Sequence, residues 1–158
     1  MIEKQEKHKK RGNRSEEKSE FEQKLVDLAR VTRVTKGGKR LSFRACIVLG
    51  DEKGKVGYGV AKGKDVQIAI TKAVVQAKKK LVKVNITKGS IPHEIRVKFK
   101  AAKIMFRPGK QGRGIIAGGV VRTVLELAGY KNVVAKIYGS NNKINNVKAT
   151  FQAFEELK

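Results

Sequence analysis

Between Leu25 and Leu81 the spacing of apolar residues changes once, and this change limits the available folds more than any other feature of the chain. After Asp65, the residues Val66, Ala69, Ile70, Ala73, Val74, Ala77 and Leu81 recur at three- and four-residue intervals, which lays one apolar face along a helix. Asp65 opens that helix and Lys78-Lys79-Lys80 closes it, so charges of opposite sign meet the two poles of the dipole. Before the change the pattern is that of strands. Leu25 to Thr35 carries the β-branched residues Val26, Val31, Thr32 and Val34, and Leu41 to Leu49 and Lys55 to Ala61 are two further strands. Lys36-Gly37-Gly38-Lys39 reads as a hairpin tip and Gly50-Asp51-Glu52-Lys53-Gly54 as a turn. The predicted order is β-β-β-α, one small α+β unit.

A second unit starts after Lys88-Gly89-Ser90. His93 to Lys100 alternates Ile95, Val97 and Phe99 with Arg96, Lys98 and Lys100, and Lys103 to Arg107 is a second short strand. The glycine-rich run Pro108 to Gly119 leads into a helix, Val120 to Ala128, closed by Gly129. Asn132 to Tyr138 is then a strand and Asn145 to Leu157 a helix with Val147, Phe151 and Phe154 on one side. The order is β-β-α-β-α, with no internal repeat. Residues 1–20 have almost no apolar content and read as a disordered arm, because they cannot bury enough surface to offset their ordering entropy. The expected organisation is arm 1–20, first domain 21–86 and second domain 87–158, an α+β chain of two small domains.

Charge narrows the function. The chain has 37 Lys and Arg against 14 Asp and Glu, and residues 21–158 alone hold 30 against 9. The basic excess therefore lies in the folding part and not in the arm. Repulsion on this scale opposes compaction and calls for a polyanion, and nucleic acid is the partner that matches a domain-sized basic surface. Arg30 to Arg44 contains Arg30, Arg33, Lys36, Lys39, Arg40 and Arg44 without an acid, and Lys78 to Arg122 has thirteen cations relieved only by Glu94. With Gly37 and Gly38, which permit close backbone approach at the tip, these six cations form the first group of candidate RNA contacts. Lys55, Lys62 and Lys64 in the first unit, and Arg107, Lys110 and Arg113 in the second, complete the set. A finger that enters a groove or junction of folded RNA is the reading this pattern supports.

Other classes fit poorly. No apolar run approaches a membrane span and no apolar signal core opens the chain, so a membrane partner is not expected. The single cysteine, Cys46, sits among Ala45, Ile47, Val48 and Leu49 and reads as a small buried hydrophobe, and two histidines without a Cys/His cluster do not make a zinc site. No cofactor is expected. The acids are few and lie mostly in the arm, in turns or at helix ends, with no serine or cysteine beside a base, which leaves general acid–base and nucleophilic catalysis poorly supplied. Aromatic content is 6% with no Trp, and Phe43, Phe99, Phe106, Phe151 and Phe154 fall at apolar positions, so they read as core and not as stacking platforms. Recognition should then rest on phosphates and RNA shape.

Pro108 to Gly119 is the most unusual local sequence. Glycines ahead of a helix can present backbone N–H groups to phosphate. The run fits a P-x-x-x-G-x-G-x-x-A pattern similar to the phosphate loop of galactokinase-type and homoserine-kinase-type small-metabolite kinases, which makes an ATP-dependent kinase the alternative. Yet Ile115 and Ile116 stand where those enzymes place a hydroxyl residue for magnesium, and no nearby acid is free to serve as base.

A more extensive resemblance runs from about residue 21 to 157. Arg30-Val31-Thr32-Arg33-Val34-Thr35-Lys36-Gly37-Gly38-Lys39-Arg40, Phe43-Arg44-Ala45, Gly54-Lys55-Val56-Gly57-Tyr58-Gly59 and Gly114-Ile115-Ile116-Ala117-Gly118-Gly119 with Val121-Arg122-Thr123 resemble bacterial-type small-subunit ribosomal protein five. The resemblance implies a double-stranded-RNA-binding-like first domain and a βαβ-type second domain. It implies binding to small-subunit rRNA, contact with ribosomal proteins four and eight, a place near the mRNA entry channel, and an influence on decoding accuracy. It also implies a ribosomal location in the cytoplasm or in an organelle matrix. The Gly-Gly hairpin, here Lys36 to Arg40, would reach RNA near the neck of the subunit and line the spectinomycin site, while Gly114 and Arg122 would face protein four. Two departures stand out: Gly112-Arg113-Gly114 replaces the family's Gly-Thr-Gly, and Asn142-Lys143 replaces Asn-Pro, removing a proline that presets a first helical turn.

Overall fold

The computed structural model describes residues 21–157; the arm expected at 1–20 lies outside them. Two four-stranded sheets are present, ordered β1-β2-β3-β4 and β5-β6-β8-β7. The first holds β1 (Glu22–Thr35), β2 (Gly38–Gly50), β3 (Lys55–Gly63) and, after helix α1 (Val66–Lys79), the short β4 (Leu81–Lys83), all paired antiparallel. The second holds β5 (Ile95–Phe99), β6 (Ala102–Pro108), β7 (Ile115–Ile116) and β8 (Val133–Gly139), with helices α2 (Gly119–Ala128) and α3 (Lys143–Glu156). The α+β class stands, and each unit gains one short strand, β4 and β7, over the sequence expectation. β7 pairs with β8 in parallel and α2 connects them, which is a βαβ unit.

Helix α1 lies close to its sheet because small residues meet small residues. Its buried residues are Ala69, Ala73 and Ala77, and they face Gly57, Gly59 and Gly63 of β3. A Cβ at Gly59 would stand 2.0 Å from the Ala73 carbonyl oxygen and one at Gly63 2.6 Å from the Ala69 nitrogen, so side chains there would force the helix off. Ala45, Ile47 and Leu49 of β2, with half-buried Phe43, complete this core.

The opposite face of the same sheet is also covered. Cys46 and Val48 of β2 and Val56 of β3 join one continuous core with Val97, Ile104 and Phe106 of the second sheet and with Val121, Leu125, Val147, Phe151 and Phe154 of α2 and α3. Burial on both faces explains why Ala45 to Leu49 reads as an unbroken apolar run in place of an alternation. Burial pushes the Cys46 thiol up to about 11, the state of an inert core residue. Tyr58 of β3 meets Phe151 of α3 with ring centroids 4.6 Å apart. Of the phenylalanines assigned to the core, Phe106, Phe151 and Phe154 are buried and Phe43 and Phe99 half-buried against it.

The β2–β3 turn locks the two units together. Glu52 N–H donates to the Leu127 carbonyl at the end of α2 (3.0 Å), and Gly50 packs against that same carbonyl so closely that a Cβ would lie 2.0 Å from it. Asp51 shapes the turn by accepting from the backbone N–H groups of Lys53 and Lys55, both at 2.8 Å. Burial alone would raise the Asp51 carboxyl, but these donors outweigh it and hold the group below its usual range. Tyr130 then ties the connection between the sheets, donating its hydroxyl to the Asn85 carbonyl at 2.8 Å.

Candidate nucleic-acid interface

β1 and β2 outrun the rest of their sheet. β3 begins to pair with β2 only at Phe43, opposite Gly63, whereas the pairs from Val31↔Ser42 to Thr35↔Gly38 join β1 to β2 alone. Five pairs at about 3.4 Å each give a two-stranded ribbon of about 17 Å beyond the third strand. Every residue from Thr32 to Leu41 is exposed, including Val34 at 75% and Leu41 at 50%. The tip turns at Lys36-Gly37, closed by the Thr35 hydroxyl donating to the Gly38 carbonyl (3.1 Å). Gly38 has φ +143°, a conformation that favours glycine, and nothing lies within 4 Å of a Cβ built at Gly37 or Gly38. Internal packing therefore makes no use of the smallness of Gly37.

The register sorts the candidate cations. Arg33 faces Arg40 directly across the ribbon, and Arg44 faces Lys62 one strand further on. Like charges placed opposite one another are destabilising unless an anion lies between or over them. Arg33, Arg40, Lys62 and Lys64 line one groove, together with Lys72 of α1. Lys72 escaped the sequence reading because a lone lysine on the polar side of a helix carries no distinguishing signal; only the packing of α1 brings it beside the ribbon. Arg30 and Lys39 pair with Phe43 and Val34, so they occupy the opposite face.

Other candidates are held differently. Arg44 is half-buried and bonded to Asp27 at 3.3 Å, and Asp27 also receives Lys143 of α3 at 3.3 Å, so this arginine is engaged in joining the units. Arg107 pairs with Glu94 at 2.8 Å. The Arg107 hydrogen bond, with Arg96 beside it, lowers the Glu94 carboxyl. Lys55 sits at the far end of β3 opposite Lys83, away from the ribbon. Lys110 and Arg113 are exposed in the glycine-rich loop, and Arg122 is exposed on α2.

That loop is not an open cradle of backbone donors. Gly109 N–H donates to the Asn132 carbonyl (3.1 Å) and Gly114 N–H to the Asn132 side-chain oxygen (3.1 Å). Ile115-Ile116, where a kinase would continue its phosphate loop, is strand β7. Gly109 and Gly114 fasten the loop to the second sheet, so these two do not present their N–H groups to phosphate.

A two-unit α+β chain with a projecting, acid-free cationic ribbon and a cation-lined groove at its base belongs, as a class, with proteins that grip folded RNA through its backbone. The comparison with known families makes this specific. The family described as ribosomal protein S5, N-terminal domain, matches residues 21–85, and that described as ribosomal protein S5, C-terminal domain, matches residues 97–158. The chain belongs to the ribosomal protein S5 family. It is similar to small ribosomal subunit protein uS5c of Rhodomonas salina, 50% identical over 153 residues that cover 96% of this chain and 91% of the relative. It is likewise 50% identical over 153 residues to uS5 of Acaryochloris marina, covering 96% and 86%, and 47% identical over 158 residues to uS5 of Mycoplasmopsis agalactiae, covering 99% and 68%. None of these matches names a kinase.

Proposed function

We infer that this chain is a structural constituent of the small ribosomal subunit, binding rRNA and neighbouring ribosomal proteins there. The observation that carries the RNA-binding reading is the exposed ribbon, with Arg33 opposite Arg40 and no acid between Arg30 and Arg44, an arrangement that a phosphate backbone stabilises. Residues 21–86 and 87–158 act in this proposal as two domains of one binding body. The tip, Lys36 to Arg40, enters the RNA, while Arg30, Arg33, Lys62 and Lys64 hold phosphates at its base. Lys55, Lys110 and Arg113 contact RNA elsewhere, and Arg44 and Arg107 contribute charge from their ion pairs. Gly114 and Arg122 face ribosomal protein four, protein eight is a second neighbour, and the chain lies by the mRNA entry channel and supports decoding accuracy. The family provides the support for these finer assignments. Among the described residues no helix is long and apolar enough to cross a membrane.

The deciding experiment is competition between a small-subunit rRNA fragment and excess generic duplex RNA across a salt series. Preference for the ribosomal fragment should persist as salt rises, while affinity falls by roughly three to five decades if ~6 to 10 cations engage phosphates. Equal displacement by both RNAs would remove the site-specific reading. Within the same assay, Lys36→Ala with Lys39→Ala should weaken binding and leave the melting temperature unchanged. Arg122→Leu should loosen docking to protein four more than RNA binding; equal loss of both would sink that contact.

A further inference from the structure

The N-termini of α2 and α3 open onto the same cavity. It measures about 560 Å³ and lies where the two units meet, with Gly119, Val120 and Thr123 of α2 on one side and Asn141, Lys143 and Asn146 at the start of α3 on the other. Leu25 and Val26 of β1 and Ile137 of β8 give it apolar walls. Each helix leaves its first backbone N–H groups without an intrahelical acceptor and carries about half a positive charge at that end. At α2, Gly118 supplies no side-chain cap and the first turn has no acid. At α3, the Asn142 side chain takes one of these donors, the Ile144 N–H at 3.1 Å. Lys143 adds a full charge. Asp27 holds it at 3.3 Å but also holds Arg44 at 3.3 Å, so one carboxylate serves two cations and a net positive charge remains. None of the residues lining the cavity is acidic, and a small anion suits it.

Asn146 narrows the kind of anion. It is only 3% exposed, and its amide nitrogen donates to the Ser140 carbonyl at 3.2 Å, while its side-chain oxygen has no donor partner among the described residues. A buried acceptor left unmet is costly, so the ligand that fits has to bring a hydrogen-bond donor together with its negative charge. Sulfate and the phosphodiester of an RNA backbone bring no such donor. A hydrogen phosphate group brings both: its anionic oxygens accept from helix N–H groups, and its P–OH donates to the Asn146 oxygen. The apolar walls leave room for the small organic body of a monoester.

We propose that the cavity between the N-termini of α2 and α3 is a site for a hydrogen phosphate group, free or carried by a small phosphate monoester, separate from the cationic ribbon. The test follows the amide signals of the isotopically labelled full chain by NMR at pH 6, where a phosphate monoester keeps its last proton about half of the time. At constant ionic strength, inorganic phosphate should shift the Gly119 and Val120 backbone amides and the Asn146 side-chain amide along one saturation curve. Sulfate should bind there roughly tenfold more weakly, the loss expected when one buried acceptor goes unmet. Gly119→Asp sets a carboxylate in open space at the start of α2, where it favours the helix, so the melting temperature should hold or rise while the phosphate shifts vanish. Gly119→Pro removes one donor and fits behind the extended Gly118 (φ −61°, ψ 148°), so it should weaken phosphate binding and keep the fold. Glycerol phosphate separates the two sources: tighter binding than inorganic phosphate supports a monoester whose body meets Leu25 and Ile137, and equal or weaker binding supports the free ion. Equal affinity for phosphate and sulfate would show that Asn146 takes no part and would overturn the proposal. Shifts confined to Lys36 to Arg40, or shifts at Gly119 that persist in Gly119→Asp, would overturn it as well.

Discussion

Gly37 and Gly59 are the same residue under opposite demands, and the difference separates folding from function. Gly59 faces the backbone of α1, where a Cβ would stand 2.0 Å from the Ala73 carbonyl. Gly59→Ala should therefore cost about 1–3 kcal/mol or more, since the clash is with helix backbone and no flexible side chain can yield. Gly37 has open space around it, so Gly37→Ala should leave the melting temperature within experimental scatter while weakening RNA binding, if the tip approaches a groove wall. Thermal unfolding of the two variants side by side tests the contrast, and equal destabilisation would contradict it. Tyr130 offers a second residue-scale test. Burial pushes its hydroxyl from 10.0 up to about 12, so the folded state favours the neutral form. Its contribution is complete below pH ~10 and is lost as pH rises toward ~12. Tyr130→Phe forfeits the bond to Asn85 and should cost about 1 kcal/mol near neutrality. The gap between wild type and variant should then close between pH ~10 and ~12; a gap that widens there would reverse the assigned direction of the shift.

At the scale of elements, most of the fold was legible because period and turn chemistry agreed. Asp65, the lysines of the last turn and the spacing of Ala69, Ala73 and Ala77 marked α1, and Gly129, at φ +92°, closed α2 as expected. What was not legible depends on partners distant in sequence. β4 has three residues directly after a helix and exists because Lys55 to Gly57 can pair with it; β7 has two and exists because β8 lies alongside. The first residues of β1, Glu22 to Lys24, lack apolar alternation, and their pairing with β2 alone makes them strand. The candidate site divides in the same way. The ribbon was visible as an acid-free run with a Gly-Gly tip, whereas Lys72 emerges only from packing. The start of α3 is informative too, since the missing proline is replaced by a cap: the Asn142 side chain accepts from Ile144 N–H at 3.1 Å. Asn142→Ala should cost about 1 kcal/mol, and Asn142→Asp should retain most of the stability, as read by chemical denaturation. A harmless Asn142→Ala would mean that the turn before the helix does not depend on the cap.

On the scale of the whole molecule, the two sheets are poor candidates for independent folding. One face of the first sheet finishes its core on α2 and α3, and Cys46, Val48 and Val56 belong to the same buried cluster as Phe106 and Phe154. The joint is reinforced at both ends of β2. At one, Gly50 and Glu52 dock on the Leu127 carbonyl; toward the other, Asp27 receives Arg44 from its own sheet and Lys143 from α3. Lys24 adds a pair to Glu126 at 3.2 Å across the same junction. The irregularity in β1 between Leu25 and Asp27 lies between these two contacts. A shared core with contacts at both ends makes the units unfold together. Calorimetry should give a single transition whose enthalpy matches its van't Hoff value. Gly50→Ala should break that unity, because a Cβ there meets Leu127 backbone and must push the turn off α2. Two resolved transitions in that variant and one in wild type would show that the joint is what makes the protein a single body. Two transitions in wild type would show instead that the units are stable apart, and that the rigidity needed to hold RNA at a fixed angle comes from the assembled subunit.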